Sequence, residues 1–207
     1  MMKLYHSPLS PYVRKVMVVA HETGVLDEIE KIDGSGTPLA PNEETVAANP
    51  LGKIPALVTE DGETLYDSRV ICRYLDRRAG AGLYPSGSTE FATLTREALA
   101  EGIIDAALMV AYEGRLRPEN LRFKPWVEGQ TDKVRRGIEA FERHLDALAG
   151  HLTMDKIALG CALGYVDFRL KDALDWRADH PGLAAWYKDF STRQSMKETA
   201  PQQPVAA

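Results

Sequence analysis

Ser10, followed by Pro11, is the first place in this chain where residue type and spacing suggest chemistry. The pair stands in Ser7-Pro8-Leu9-Ser10-Pro11-Tyr12-Val13-Arg14-Lys15-Val16. Before it runs the short extended stretch Lys3-Leu4-Tyr5-His6; after it, Val13, Val16, Met17 and Ala20 recur at helical spacing. Serine before proline reads as an N-cap followed by a proline at the first helical position, where its missing N–H costs nothing. A strand thus leads into a helix whose first turn presents a hydroxyl beside several unpaired backbone N–H groups. Such a place suits an anion, a thiolate among them. The same two residues also make a plain helix cap, and the motif alone does not choose between these roles.

Asp67-Ser68 opens a second helix in the same way. A carboxylate and a hydroxyl at a helix start can bind an ammonium group while the free N–H groups bind a carboxylate, or they can simply cap. Between these two places, Asn49-Pro50-Leu51-Gly52 is a turn leading through Lys53 to Ile54-Pro55. On its own Pro55 reads as the end of an edge strand, and Lys53 as a solvated lysine.

The elements that must position these residues alternate over the first eighty. The pattern predicts strands over 3–6, 28–32 and 54–59, a helix over 11–22 ending at Gly24, and a helical turn over 43–47. Asp61-Gly62 turns into a further extended run, 63–66, and Val70, Ile71, Tyr74 and Leu75 then recur at helical spacing. A βαβ unit, a hairpin and a helix make a small α/β domain. Gly80 to Ser88 reads as a linker. Beyond it no strand-like run occurs, and helices are predicted over 89–112, 126–148, 154–173 and 182–190. The Pro, Gln and Ala tail from Ala200 is expected to be disordered. The predicted fold class is therefore α/β + all-α: domain one over 1–80, a helical bundle over 88–199, then a disordered tail over 200–207.

Composition narrows the function classes. A chain of 207 residues with a net charge of −5 does not carry a nucleic-acid footprint, despite the local cluster Lys133, Arg135 and Arg136. Two cysteines, Cys72 and Cys161, without CxxC spacing, fit a reducing cytoplasm. No apolar run approaches the roughly 18 residues a membrane span needs, so no membrane partner is expected. The five histidines are scattered without ligand spacing, so no metal is expected. Gly34-Ser35-Gly36 lacks the glycine fingerprint of a nucleotide loop and reads as a flexible turn.

Four stretches together resemble the bacterial glutathione transferases across nearly the whole chain. They are the segment 7–16, Asn49-Pro50-Leu51-Gly52-Lys53-Ile54-Pro55-Ala56-Leu57, Thr64-Leu65-Tyr66-Asp67-Ser68, and the helical run 158–169. The wording is most similar to the YibF-like branch, for which the resemblance implies no physiological substrate. The resemblance implies a thioredoxin-like N-terminal domain, glutathione as co-substrate, and a cis bond before Pro55 that exposes the Ile54 backbone to an extended peptide. It assigns Ser10 as the catalytic residue and Lys53, Ile54, Pro55, Asp67 and Ser68 to glutathione, with Asp67-Ser68 on its γ-glutamyl end. The function it implies is stabilisation of the glutathione thiolate for attack on a small hydrophobic electrophile. The alternative from another class is a non-catalytic member of the fold that binds a ligand or protein.

Two departures from that pattern matter. Relatives that reduce disulfides carry a cysteine in the first loop, where this chain has Ser10 and Pro11, so thiol–disulfide exchange through a protein cysteine is not expected. Ser7, ahead of the helix, is the weaker of the two hydroxyls. Relatives also place Ser/Thr-x-x-Asp before the long buried helix. Here Thr153-Met154-Asp155-Lys156 puts a lysine at the reciprocal position, leaving Thr153 to cap alone. Met109, Tyr112, Phe123 and Tyr165 are candidate walls of an electrophile pocket that read equally as core. The resemblance further implies a two-fold homodimer; the mixed faces carrying Arg73, Arg77, Glu97 and Glu101 fit opposite charges meeting across its interface and fit plain solvated faces equally well.

Overall fold

The computed structural model describes residues 1–201 and divides into two units, 1–84 with the segment from 194, and Pro85–Arg193. In the first unit, β1 (Met2–His6), α1 (Pro11–Glu22) and β2 (Ile29–Asp33) form the βαβ unit, with β1 and β2 parallel and Met2 opposite Ile29. After a short helix, α2 (Glu43–Ala48), strands β3 (Ala56–Val58) and β4 (Thr64–Leu65) form the hairpin. β3 runs antiparallel to β1 with Ala56 opposite Tyr5, so the four strands lie in the order β2-β1-β3-β4. The expected strand over 54–59 is thus trimmed to three residues, because Pro55 has no N–H to give a ladder.

α1 and α3 (Ser68–Ala79) pack together. Val16, Val18, Val19 and Ala20 on the former, and Ile71, Cys72 and Leu75 on the latter, are fully buried. Each large aliphatic side chain so covered contributes about 1.5–3 kcal/mol. α3 ends in a Schellman arrangement. Gly80 adopts φ 64°, its N–H bonds to the Arg77 carbonyl, and the Ala81 N–H bonds to that of Asp76. The buried Asp76 carboxylate then accepts from the N–H groups of Leu83 (2.7 Å) and Tyr84 (3.3 Å). That side chain fastens the first part of the expected linker to the N-terminal unit.

The second unit contains α4 (Glu90–Leu116), α5 (Lys124–Glu142), α6 (Met154–Leu170) and α7 (Pro181–Phe190). α4 runs past its expected end at 112. α5 stops short of 148, where Leu145–Leu148 forms a separate 3-10 turn. α6 is buried on every side from Met154 to Val166, as a helix that is apolar all round must be.

Thr153 makes no side-chain capping bond, contrary to expectation. With lysine in place of the reciprocal carboxylate, the start of α6 is organised differently. Lys156 donates to the carbonyls of Ala149 and His151, 2.5 Å each, and the fully buried Asp155 accepts from Arg96 of α4 at 2.5 Å. Other carboxylates tie the remaining joints. Glu113 accepts from the Phe123 N–H and from Arg117, which closes the α4–α5 connection, while Glu142 accepts from the N–H groups of Gly182 and Leu183 at the start of α7. Glu97 and Glu101 are buried within the chain, 2% and 7% exposed, on the α4 face shared with Thr93, Ala100 and Ile104. They are core residues of their own subunit, not the exposed charges the sequence suggested for a dimer contact.

The segment from 194 on, after α7, expected within the helical domain 88–199 though no helix was predicted there, belongs instead to the first unit. α8 (Gln194–Glu198) packs on α1 within the first unit. The buried Arg14 donates to the Met196 carbonyl (3.0 Å) and to Thr199, His21 pairs with Glu198 (2.9 Å), and Ser195 donates to Glu22. The expected disordered tail lies, from 202 on, outside the described residues.

Candidate functional site

Strand direction brings the candidate residues of the N-terminal unit to one end of its sheet. β1 ends at His6 and leads to Ser10. β3, antiparallel to β1, begins at that same end with Ile54-Pro55 just before it; β4, antiparallel to β3, finishes there and leads into Asp67. β2, parallel to β1, delivers Gly34 to the same end.

Ser10 is the N-cap of α1. Its N–H bonds to the Ser7 carbonyl at 3.1 Å, closing a turn, and its Oγ accepts from the Val13 N–H at 3.3 Å. No acceptor for the hydroxyl's own proton occurs among the described residues. α1 carries no acidic residue in its first turn, so the positive end of the helix has no carboxylate of its own there. Further along, Lys15 is fully buried, and its charge reaches Asp67.

Ile54 precedes the β3 ladder and the bond to Pro55 is cis. Ile54 is half-buried, and no hydrogen bond to its backbone occurs among the described residues. Two residues that sequence reasoning passed over hold it there. The buried Asn49 spans its turn, donating to the Lys53 carbonyl (2.8 Å) and accepting from the Leu51 N–H (3.1 Å). Gly34 is buried rather than a flexible tip: a Cβ there would lie 2.7 Å from Ile54 Cγ2 and 3.1 Å from Tyr5 Cβ. Only the absence of a side chain allows that approach. Lys53 itself is exposed.

Asp67 follows a second cis bond, Tyr66–Asp67, and is the N-cap of α3. Its Oδ1 accepts from the Arg69 N–H (2.9 Å) and its Oδ2 from the Arg69 guanidinium (3.0 Å). Partial burial pushes the carboxyl up, but the Arg69 hydrogen bonds and the charges of Arg69 and Lys15 outweigh it and hold it below its usual range. Ser68 is buried behind it. One end of the sheet therefore presents a hydroxyl at a helix start, the unpaired backbone of Ile54, and an ionised carboxylate at a second helix start. Among the described residues no group of three or more His, Cys, Asp or Glu side chains is placed to hold a metal ion. Nor, among those residues, is any helix long and apolar enough to cross a membrane.

Comparisons with known proteins agree with this architecture. Residues 9–78 match the model of the glutathione S-transferase N-terminal domain, and residues 124–189 that of the C-terminal domain. The chain is 32% identical to the GST-like protein YibF of Escherichia coli, over 97% of this chain and 98% of that protein. It is 47% identical to a glutathione transferase family member from Pseudomonas fluorescens Pf-5, covering 98% of this chain and all of that one. That protein's structure with bound glutathione superposes with a TM-score of 0.95, and its structure with bound S-(propanoic acid)-glutathione with 0.91. The chain, with its four-stranded mixed sheet followed by a helical unit, belongs to the glutathione S-transferase family.

Proposed function

We propose that this chain is a glutathione transferase in which Ser10 stabilises the glutathione thiolate for attack on a small electrophile. The observation that carries this reading is the convergence of Ser10, Ile54-Pro55 and Asp67-Ser68 at one end of the sheet. Glutathione, an extended peptide, pairs along the Ile54 backbone. Its γ-glutamyl ammonium meets Asp67, its γ-glutamyl carboxylate meets the start of α3 at Ser68, and Lys53 neutralises its other carboxylate. Glutathione bound in the P. fluorescens relative supports the assignment. The same relative also binds S-(propanoic acid)-glutathione, a thioether carrying a small acidic group.

Magnitudes make a serine sufficient. A thiol titrates near about 8.5, and a hundredfold shift toward thiolate needs about 2.7 kcal/mol of preferential stabilisation. A hydrogen bond to a charged group supplies about 1.5–3 kcal/mol, and a helix N-terminus about 0.3–1 kcal/mol. The Ser10 hydroxyl proton and the start of α1 together reach that value without a general base. Two buried thiols, Cys72 and Cys161, fit a cytoplasmic setting. The family's two-fold homodimer is part of the proposal, checked by light scattering: a mass of one chain at micromolar concentration and moderate salt would reject it.

The experiment is Ser10→Ala. Loss of the cap should cost about 0.5–2 kcal/mol of stability. Turnover of a broad electrophile panel should fall about 10- to 100-fold, and the ultraviolet thiolate signal of bound glutathione should titrate at higher pH. Unchanged turnover with an unchanged titration would remove Ser10 from the mechanism.

A further inference from the structure

α1 and α8 both belong to the first unit and pack against each other. Arg14, His21 and Glu22 stand at i, i+7 and i+8 on one face of α1, and each holds a residue of 194–199. Arg14 is the tie nearest Ser10. Its own N–H closes the first turn of the helix on the Ser10 carbonyl at 3.0 Å, while the neighbouring Val13 N–H bonds to the Ser10 Oγ at 3.3 Å. Its side chain, 7% exposed, ends with Nη2 on the Met196 carbonyl at 3.0 Å and Nε on the Thr199 Oγ1 at 3.4 Å. Thr199 is fixed in turn, since its hydroxyl donates to the Ser195 carbonyl at 2.6 Å.

Helix formation does not account for an arginine at this place. A cation in the first turns of a helix opposes the helix dipole, and α1 has no acidic residue in its first turn to offset it. A buried charge ordinarily takes a charged partner. Among the described residues Arg14 has two neutral acceptors instead, one carbonyl and one hydroxyl. α8 already has the His21–Glu198 and Ser195–Glu22 contacts at the other end of α1. The third tie, the most buried of them, falls on the end that carries Ser10. A chain of bonds thus runs from 194–199 through one side chain to the Ser10 carbonyl.

We propose that Arg14 is a positioning residue: gripped by Met196 and Thr199, it fixes the first turn of α1, and so the direction in which Ser10 and the neighbouring N–H groups meet the glutathione thiolate. The inference rests on the transferase reading. A hydroxyl and backbone N–H groups stabilise a thiolate best when they are aimed before the charge forms. A first turn free to fray would aim them poorly. The segment 194–199 therefore acts on the site through Arg14.

The test compares glutathione with S-methylglutathione, which has the same peptide and no thiol to ionise. In Arg14→Gln the ultraviolet thiolate signal of bound glutathione should titrate about one pH unit higher, about a 10-fold loss of preference for the thiolate. S-methylglutathione should bind that variant within about twofold of the parent. Thr199→Val, at a half-buried position, removes one of the two acceptors and should shift the titration in the same direction by less. His21→Ala, which cuts a tie at the other end of α1, should leave the titration in place. An unmoved titration in Arg14→Gln, or in Thr199→Val where Arg14→Gln does not fold, overturns the proposal. So does an equal weakening of both ligands, which marks Arg14 as structural. A shift in His21→Ala as large as that in Arg14→Gln overturns it too, by crediting the docking of α8 as a whole. If the parent binds neither ligand, the transferase reading fails instead, and hydrogen exchange decides the role of Arg14. Faster exchange of the Val13 and Arg14 amides in Thr199→Val, with the middle of α1 unaltered, upholds the hold on Ser10, and equal exchange overturns it.

Discussion

In the N-terminal unit the groups assigned to chemistry stand at the ends of elements. Ser10 opens α1, Ile54 precedes β3, and Asp67 opens α3. In the helical unit the charged groups work as ties between elements: Asp155 to Arg96, Glu113 to the Phe123 N–H, Glu142 to the start of α7. The contrast teaches where a single side chain counts for reactivity and where it counts for stability. A group at an element's end borrows unpaired N–H groups from the backbone and can be exchanged at modest structural cost. Asp155, buried among helices, has the Arg96 side chain as its partner, so removing that partner leaves a charge without solvent.

The largest effect should come from Arg96→Ala in the helical unit. It strands the fully buried Asp155 carboxylate, one of whose oxygens already has no partner. Stability should fall by about 3–5 kcal/mol, read from denaturant midpoints at constant slope. A loss under 1 kcal/mol would erase the distinction drawn above. Next comes Gly34→Ala, which pushes a methyl group into Ile54 and should cost about 1–3 kcal/mol. Because Ile54 is the proposed peptide-pairing residue, glutathione affinity should fall with it; intact affinity at reduced stability would detach Ile54 from the ligand.

Asp67→Ala sharpens the comparison on the reactive side. Its contact, remote from the sulfur, should be equally strong in ground and transition states. The KM for glutathione should then rise by about 10-fold with little change in kcat. A normal KM with a much reduced kcat would contradict the role. The smallest effect concerns His6, at the end of β1. Burial and the Lys31 charge push its pKa below the ordinary 6.5, and Asp33 opposes them only in part. Between that lowered value and 6.5 the unfolded chain binds more protons than the native one. This contribution to stability is therefore complete above pH 6.5 and is lost as pH falls through that window. His6→Gln should flatten that segment of the stability profile, and an unaltered slope would assign it to other groups.

How much of this was legible in sequence follows the same division. The βαβ unit, the hairpin and both helix starts were readable because a cap, a proline at the first helical position or a strand-length apolar run is a signal spoken by a few adjacent residues. The convergence of Ser10, Ile54 and Asp67 needed the family resemblance, since strand direction is settled by pairing across the chain. Asn49 and Gly34 were passed over because a side chain spanning its own turn and a glycine tucked under a neighbour look, in sequence, like any turn. The failure of Thr153 to cap shows how an incomplete box is replaced: Lys156 takes over the joint by binding loop carbonyls. α8 is only five residues long and carries no usable period.

That short helix bears on how the protein is made. A ribosome delivers 1–84 first, yet Arg14, His21 and Glu22 of that stretch find partners in 194–199, which emerge only after every helix of the other unit. The first part synthesised is thus completed by the last of the described residues, and a chain interrupted after α7 would hold a nascent N-terminal unit with the buried Arg14 guanidinium deprived of its carbonyl. For this protein, domain-by-domain maturation along the growing chain leaves the N-terminal unit open until 194–199 have emerged.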